Sequence, residues 1–308
     1  MANEIISFIQ QYGALASPVL TITGALLNAF FFRRKTKKAA QIQELEKIKA
    51  GLLQEAADEL LESGKITYSE LYKMKNFMQI AKLADEEFKK EGPIEELPQQ
   101  DFDWYTRYYE ACGNVSDEDL QTVWAKILAG EIRRPGSYSL RTLEHLRNIT
   151  KEEAMLFLKV CEASIRIGRN TILPRIDSYQ AGKGISYDDI IKLDDCGLVK
   201  SDATLTSTLH IGEQYALLTN SDSWVLLARK RVDAERKGTY GLELSAFLFT
   251  QTGSELFSVV GIDSERDYSE ICEIFNETYQ DFEFARGQVI RRSGDQITYT
   301  MVKVNAGA

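Results

Sequence analysis

Four cysteines and two histidines are the residues whose types suit nucleophilic or metal chemistry. Cys112, Cys161, Cys196 and Cys272 are scattered, with no CxxC pair and no histidine set to complete a zinc site. Reduced, mostly buried thiols are therefore the expectation, with neither a metal centre nor a disulfide framework. His145 lies in a helical pattern between Leu143 and Leu146, and His210 ends a strand-like run. Neither has a serine or cysteine partner in an arrangement that makes a nucleophile and its base. The phosphate-cradling GxxxxGK[ST], the dinucleotide GxGxxG, the zinc-binding HExxH and the GxSxG elbow do not occur. Gln180-Ala-Gly-Lys-Gly184 has glycines and a lysine without the spacing of a cradle, and reads as a surface loop. Asp188-Asp189 and Asp194-Asp195 could face a divalent cation, but adjacent acids on a helix point apart, so a solvated face is the simpler reading. No cofactor, metal ligand or catalytic residue is assigned.

The elements around these residues are better defined. Ile42, Leu45, Ile48, Leu52, Leu53, Ala56 and Leu60 recur at helical steps within 41–62, a stalk closed by Ser63-Gly64. A second helix is predicted over 68–90, and Gly92 to Gln100, with two prolines and several acids, reads as a linker. An aromatic-rich segment follows, with Phe102, Trp104, Tyr105, Tyr108 and Tyr109. Ser116 is positioned to cap the next helix, whose first turn is acidic and whose apolar face includes Leu120, Val123, Trp124, Ile127 and Leu128. Ser139 opens a helix over 140–148, and Thr150 with Glu153 makes a capping box before a helix predicted over 154–167. After Arg169 the pattern changes: a short helix over 187–194, Cys196-Gly197-Leu198-Val199, then strand-like runs at 204–211 and 223–229. A helix, a tight turn and a two-stranded ribbon suggest a winged-helix-like arrangement. A strand at 244–250 that leads through Gln251-Thr252-Gly253 into 254–260, a helix at 267–280 and a hairpin of 282–290 with 296–304 complete the chain.

Charge is distributed unevenly. The formal net charge is −9, yet Arg33, Arg34, Lys35, Lys37 and Lys38 sit together, and everything from Ala39 onward carries about −13. An acidic body argues against nucleic acid as a partner. So does the expected winged-helix segment, where Asp188, Asp189, Asp194 and Asp195 outnumber Lys192. The basic run instead follows an uncharged stretch from Ile5 to Phe32. Tyr12 to Phe32 supplies the roughly 20 residues that a helix needs to cross a hydrocarbon core. The cations immediately after it set a short N-terminus outside and the remainder in the cytoplasm. A cleaved signal peptide would place its cations before a shorter apolar run, whereas a buried or interfacial helix is the alternative that Gln10, Gln11 and Asn28 keep open. Gly13, Ser17, Thr21, Ala25 and Ala29 recur every fourth residue, a stripe along which two such helices could pack into a homo-oligomer.

The run from Val115 to Asn148 contains Trp124-Ala-Lys-Ile-Leu-Ala-Gly130-Glu131, then Pro135-Gly136-Ser-Tyr-Ser139-Leu-Arg141-Thr-Leu143. Phe249 to Leu256 adds Thr250-x-x-Gly253-x-Glu255-Leu256. Together they resemble an uncharacterised bacterial family of unknown function, over about residues 100–260. The resemblance implies no activity. Physically, Trp124 and Leu128 read as core, Gly130 as a close approach, Pro135-Gly136 as a turn and Ser139 as a cap. Glu131, Arg133, Arg134 and Arg141 cluster at this corner, either as local ion pairs or as a ligand site.

The predicted architecture is mainly α with a C-terminal α+β region: an N-terminal transmembrane helix, a helical stalk and bundle, then winged-helix-like and hairpin elements. Its divisions are a membrane anchor and basic segment at 1–38, a stalk and linker at 39–100, a bundle at 101–170 and the α+β region at 171–308. The expected function is a membrane-anchored interaction or sensing protein, non-enzymatic, touching membrane lipid, oligomerising through its N-terminal helix and meeting a cytoplasmic protein or signal. Two further readings are a phage-defence effector whose membrane helices cluster and permeabilise the inner membrane, and a soluble enzyme with an unrecognised site.

Overall fold

Side-chain caps start most of the helices. In the computed structural model, which describes residues 67–92, 98–168, 170–202, 207–211, 214–231, 240–261, 266–293 and 296–302, Thr67 and Glu70 make a reciprocal capping box before α1 (Tyr68–Lys90). Asp101 caps α2 (Phe102–Cys112) and Asp117 caps α3 (Glu118–Arg133). The α3 cap is one residue later than the expected Ser116, because the Asp117 carboxylate accepts from the Leu120 amide at 3.1 Å. α4 (Leu140–Asn148) and α5 (Lys151–Ala163) follow. The described residues form two compact units, divided between Arg147 and Asn148.

In the first unit α1 packs on α2 and α3 around an aromatic core. The Trp104 and Tyr108 rings stack 5.2 Å apart, and Tyr108 meets Trp124 and Phe77 edge to face at 5.3 and 6.4 Å. Trp124, Tyr108 and Phe77 are fully buried. Removing one such ring costs about 3–5 kcal/mol. The one phenol at the centre still finds a partner, since the Tyr108 hydroxyl donates to the Trp124 carbonyl at 2.7 Å.

The second unit alternates short helices and antiparallel strands: β1 (Ile165–Ile167), β2 (Asn170–Pro174), α6 (Asp177–Gly182), α7 (Tyr187–Asp195), β3 (Val199–Lys200), β4 (Ser207–Ile211), β5 (Ala216–Asn220) and β6 (Trp224–Lys230). Then come β7 (Tyr240–Leu244), β8 (Ala246–Phe249), α8 (Gln251–Val260), α9 (Ser269–Thr278), β9 (Phe282–Ser293) and β10 (Gln296–Val302). One sheet has the order β1-β2-β8-β3, a second β10-β9-β6-β5, and β4 pairs with β7 alone. α9 packs on β9, where Asn276 mimics a strand neighbour. Its amide nitrogen donates to the Phe284 carbonyl at 2.8 Å and its oxygen accepts from the Phe284 amide at 2.9 Å.

This architecture corrects the mainly α, winged-helix expectation. The predicted ribbon of 204–211 with 223–229 does not form: β4 pairs with β7, while β6 is claimed by β5 and β9. Without that ribbon, α7 has no wing. The helix expected over 154–167 stops at Ala163, where Ser164 turns extended and its hydroxyl bonds back to the Val160 carbonyl at 2.6 Å. Ile165 and Ile167 then alternate inward as β1, the period that β-branched residues favour. The expected bundle is divided as well, since α5 belongs to the second unit. Among the described residues no helix is long and apolar enough to cross a membrane. The expected span at Tyr12–Phe32 and the stalk at 41–62 lie outside the described residues.

Candidate functional site

The signature residues form two structural corners, one in each unit. In the first, α3 ends at Arg133 and the chain turns back through Pro135-Gly136 toward α4. Glu131 is 2% exposed, and its two carboxylate oxygens accept from the Gly136 amide at 2.6 Å and the Tyr138 amide at 3.0 Å. A buried carboxylate thus neutralises the turn's amides, a charge-assisted contact stronger than a neutral one. Gly136 has φ +84°, the left-handed region that glycine enters without strain. Gly130 is needed for a different reason: a Cβ there would stand 2.9 Å from the Tyr138 hydroxyl and 3.0 Å from its ring. Tyr138 is fixed from the other side by the Trp104 indole, which donates to its carbonyl at 2.7 Å.

Arg133 leaves this corner altogether. Its guanidinium donates to the carbonyls of Phe88 and Gly92, lies 4.2 Å over the Phe88 ring and pairs with Glu91 at 3.2 Å. It therefore satisfies the C-terminal carbonyls of α1. Arg134 and Arg141 are exposed. The Ser139 hydroxyl accepts from the Thr142 amide at 3.3 Å and starts α4. Burial, then the neighbouring Glu131 carboxylate, pushes the Tyr105 phenol well above its ordinary value.

In the second corner, Thr250 joins β8 to α8. Its hydroxyl accepts from the Gly253 amide at 3.0 Å and donates to the Gly197 carbonyl at 2.7 Å, while its own amide donates to the Leu198 carbonyl at 3.0 Å. Gly253 lies so close to the α7–β3 turn that a Cβ would come within 2.0 Å of the Leu198 oxygen.

The thiols and histidines divide by burial. Cys112, Cys161 and Cys272 are buried, and Cys196 is half-buried. Burial, followed by the Glu153 carboxylate, pushes the Cys196 thiol up to about 11. His145 is half-buried on α4. Gly13, Ser17, Thr21, Ala25 and Ala29, together with Arg33, Arg34, Lys35, Lys37 and Lys38, lie outside the described residues.

A cleft of about 510 Å³ opens in the second unit between β1, α8 and β5. Its lining includes Arg166, Leu217, Thr219, Ser221, Phe257 and Ser258. The Arg166 guanidinium donates to the Ser258 hydroxyl at 2.7 Å and lies 5.6 Å from the Phe257 ring. Ser258 in turn donates to the Ser254 carbonyl at 3.0 Å, so its hydroxyl is committed to holding Arg166 and the helix. The arrangement sets the Arg166 cation and the Asp222 carboxylate in the lining of a partly apolar cleft, suited to contact with a polar group. Sequence reasoning passed over it because Arg166 and Ser258 are 92 residues apart and belong to no motif.

Residues 62–273 match the model of a family described as Protein of unknown function (DUF2806). The chain belongs to this family. The matched region covers both signature corners and extends beyond the 100–260 over which the resemblance was read. In this chain Gly130, Glu131, Thr250 and Gly253 serve packing and capping. No curated protein and no solved structure matches the chain.

Proposed function

We propose that this protein is a membrane-attached interaction protein, held by residues 12–32 at the inner face of a bacterial membrane, where its body binds a cytoplasmic protein or signal. The observation that carries the reading is the order of charge along the chain: 28 residues from Ile5 to Phe32 without a charge, then five cations within 33–38. Such a run is favourable in hydrocarbon, and juxtamembrane cations are drawn to anionic headgroups by about 1 kcal/mol each. Binding rather than catalysis is supported by how the signature side chains are used. Glu131, Arg133, Ser139 and Thr250 all spend their polar atoms on turns and helix ends. Exposed apolar side chains such as Tyr68, Met155 and Tyr187 offer contact area of the kind that interfaces use.

Extraction of membranes at alkaline pH with carbonate tests the attachment. The full chain is expected in the pellet, and replacing Val19 and Ile22 with aspartate should move it to the supernatant. Quantitative release of the unmodified chain would overturn the proposal.

A further inference from the structure

The second sheet ends in a strand with unusual properties for an edge. β10 pairs with β9, and among the described residues nothing pairs with its outer side. Exposed edges are commonly blunted by charge, proline, a bulge or a very short strand; here the register shifts between Thr298 and Tyr299, with the extra residue, Ile290, on β9 and not on β10. β10 has seven residues, Gln-Ile-Thr-Tyr-Thr-Met-Val, with no charge, proline or glycine. β9 beside it carries Arg286, Arg291 and Arg292, so this neutral strip lies next to a basic strand.

The strip is also nearly symmetric about Tyr299. Thr298 mirrors Thr300 and Ile297 mirrors Met301, while Gln296 falls opposite Val302 without a match. An antiparallel strand placed beside β10 in that register would meet threonine with threonine, aromatic with aromatic and aliphatic with thioether, the pairings that stabilise neighbouring strands. A second copy of β10 supplies that complement.

We infer that β10 is a homotypic interface: two copies of this chain join their edge strands antiparallel about Tyr299, merging two four-stranded sheets into one of eight. Directly opposed residues in an antiparallel pair share a face. Ile297, Tyr299 and Met301 therefore form one stripe with their mates, on the face where Tyr299 already lies across Gly287, 2.8 Å from where a Cβ would be. Met301, 40% exposed in the single copy, gains a cover from Ile297 of the second copy. The inference goes beyond membrane attachment and holds whether or not residues 12–32 enter a bilayer.

Register-specific cross-linking of the full chain tests it. Thr298 and Thr300 are exposed, so Thr298→Cys and Thr300→Cys disturb no core. Opposed positions stand about 4.5–5.5 Å apart at Cα, within disulfide reach, whereas like positions in this register are diagonal. Mixing the two variants, each also carrying Cys196→Ala so that the remaining native thiols are buried, under mild oxidation should give several-fold more covalent dimer than either variant alone. A mixture that gives no more than the separate variants overturns the inference, including the case where a strand of another protein is the natural occupant. A second readout uses the unmodified chain: on dilution the amides of 296–302 should exchange faster while those of 282–287 hold. Exchange at β10 that is independent of concentration would also overturn it.

Discussion

Replacing Gly253 with alanine isolates the tightest contact in the second unit. A Cβ at that position would lie 2.0 Å from the Leu198 oxygen and 3.0 Å from its carbonyl carbon. Carbon and oxygen approach comfortably only to about 3.3 Å, so α8 and the α7–β3 turn must separate by roughly 1 Å or more. Overpacking of this kind costs about 1–3 kcal/mol. The same movement stretches the two bonds from Thr250 to the Gly197 and Leu198 carbonyls, 2.7 and 3.0 Å long. Each is worth about 0.5–1.5 kcal/mol. Against this, alanine gains about 1 kcal/mol over glycine in a helix. The balance is a destabilisation of about 1–5 kcal/mol, or a fall in Tm of roughly 2–20 °C for a unit of this size. Gly182 is the control, because it has open space around its Cα and an ordinary φ. Gly182→Ala should be neutral or stabilising by a few tenths to 1 kcal/mol. Urea and thermal unfolding followed by circular dichroism compare the two variants. If Gly253→Ala unfolds with Gly182→Ala, the close approach of helix and turn is not what the glycine serves.

Further outcomes follow from the same structure. Glu131→Gln should destabilise the first unit by about 2–3 kcal/mol, because an amide presents only one acceptor to the two backbone donors at Gly136 and Tyr138; unchanged urea stability would refute the role of the buried carboxylate. Thr150→Ala should cost about 1 kcal/mol through loss of the α5 cap, again read by urea unfolding. The Glu153 carboxyl is held below the usual carboxylate range by the Thr150 amide, then by the Thr150 hydroxyl and the Cys196 thiol. Its folded value is the depressed one, so its contribution is complete above the unfolded carboxylate value and disappears as pH falls through the folded value. Glu153→Gln should flatten that part of the acid limb of the stability profile, and an unaltered limb would exclude it. Thiol labelling of the native chain should reach Cys196 first and accelerate as pH rises toward about 11, with Cys112, Cys161 and Cys272 reacting only on unfolding.

Local chemistry was readable without a fold. The capping box at Thr150 and Glu153 and the turn at Pro135-Gly136 depend on residues within a few positions of one another. Side-chain period alone points Trp124 and Leu128 to the core. The family resemblance is of the same kind, read from linear sequence, and membership rests on the match over residues 62–273. Strand partners are different. Strand-like runs at 204–211 and 223–229 suggested a ribbon because they are neighbours in sequence. The structure instead gives β4 to β7 and β6 to β5 and β9, across separations that no local pattern encodes. The use of the signature residues was hidden for the same reason. Glu131 could be an ion-pair partner or a ligand until the turn folded back and brought two amides to its oxygens. Gly253 gives no sign in the sequence that a carbonyl 55 positions away excludes every side chain. Arg166 and Ser258 meet only because β1 and α8 border one cleft. The sequence by itself determined the capping box at Thr150, the turn at Pro135-Gly136, core periodicity, charge order and family, since each is fixed by short-range sterics, hydrogen bonding or composition. Strand pairing, the cleft and the neutral outer edge at β10 were decided by tertiary structure, because they depend on which distant segments exclude water together.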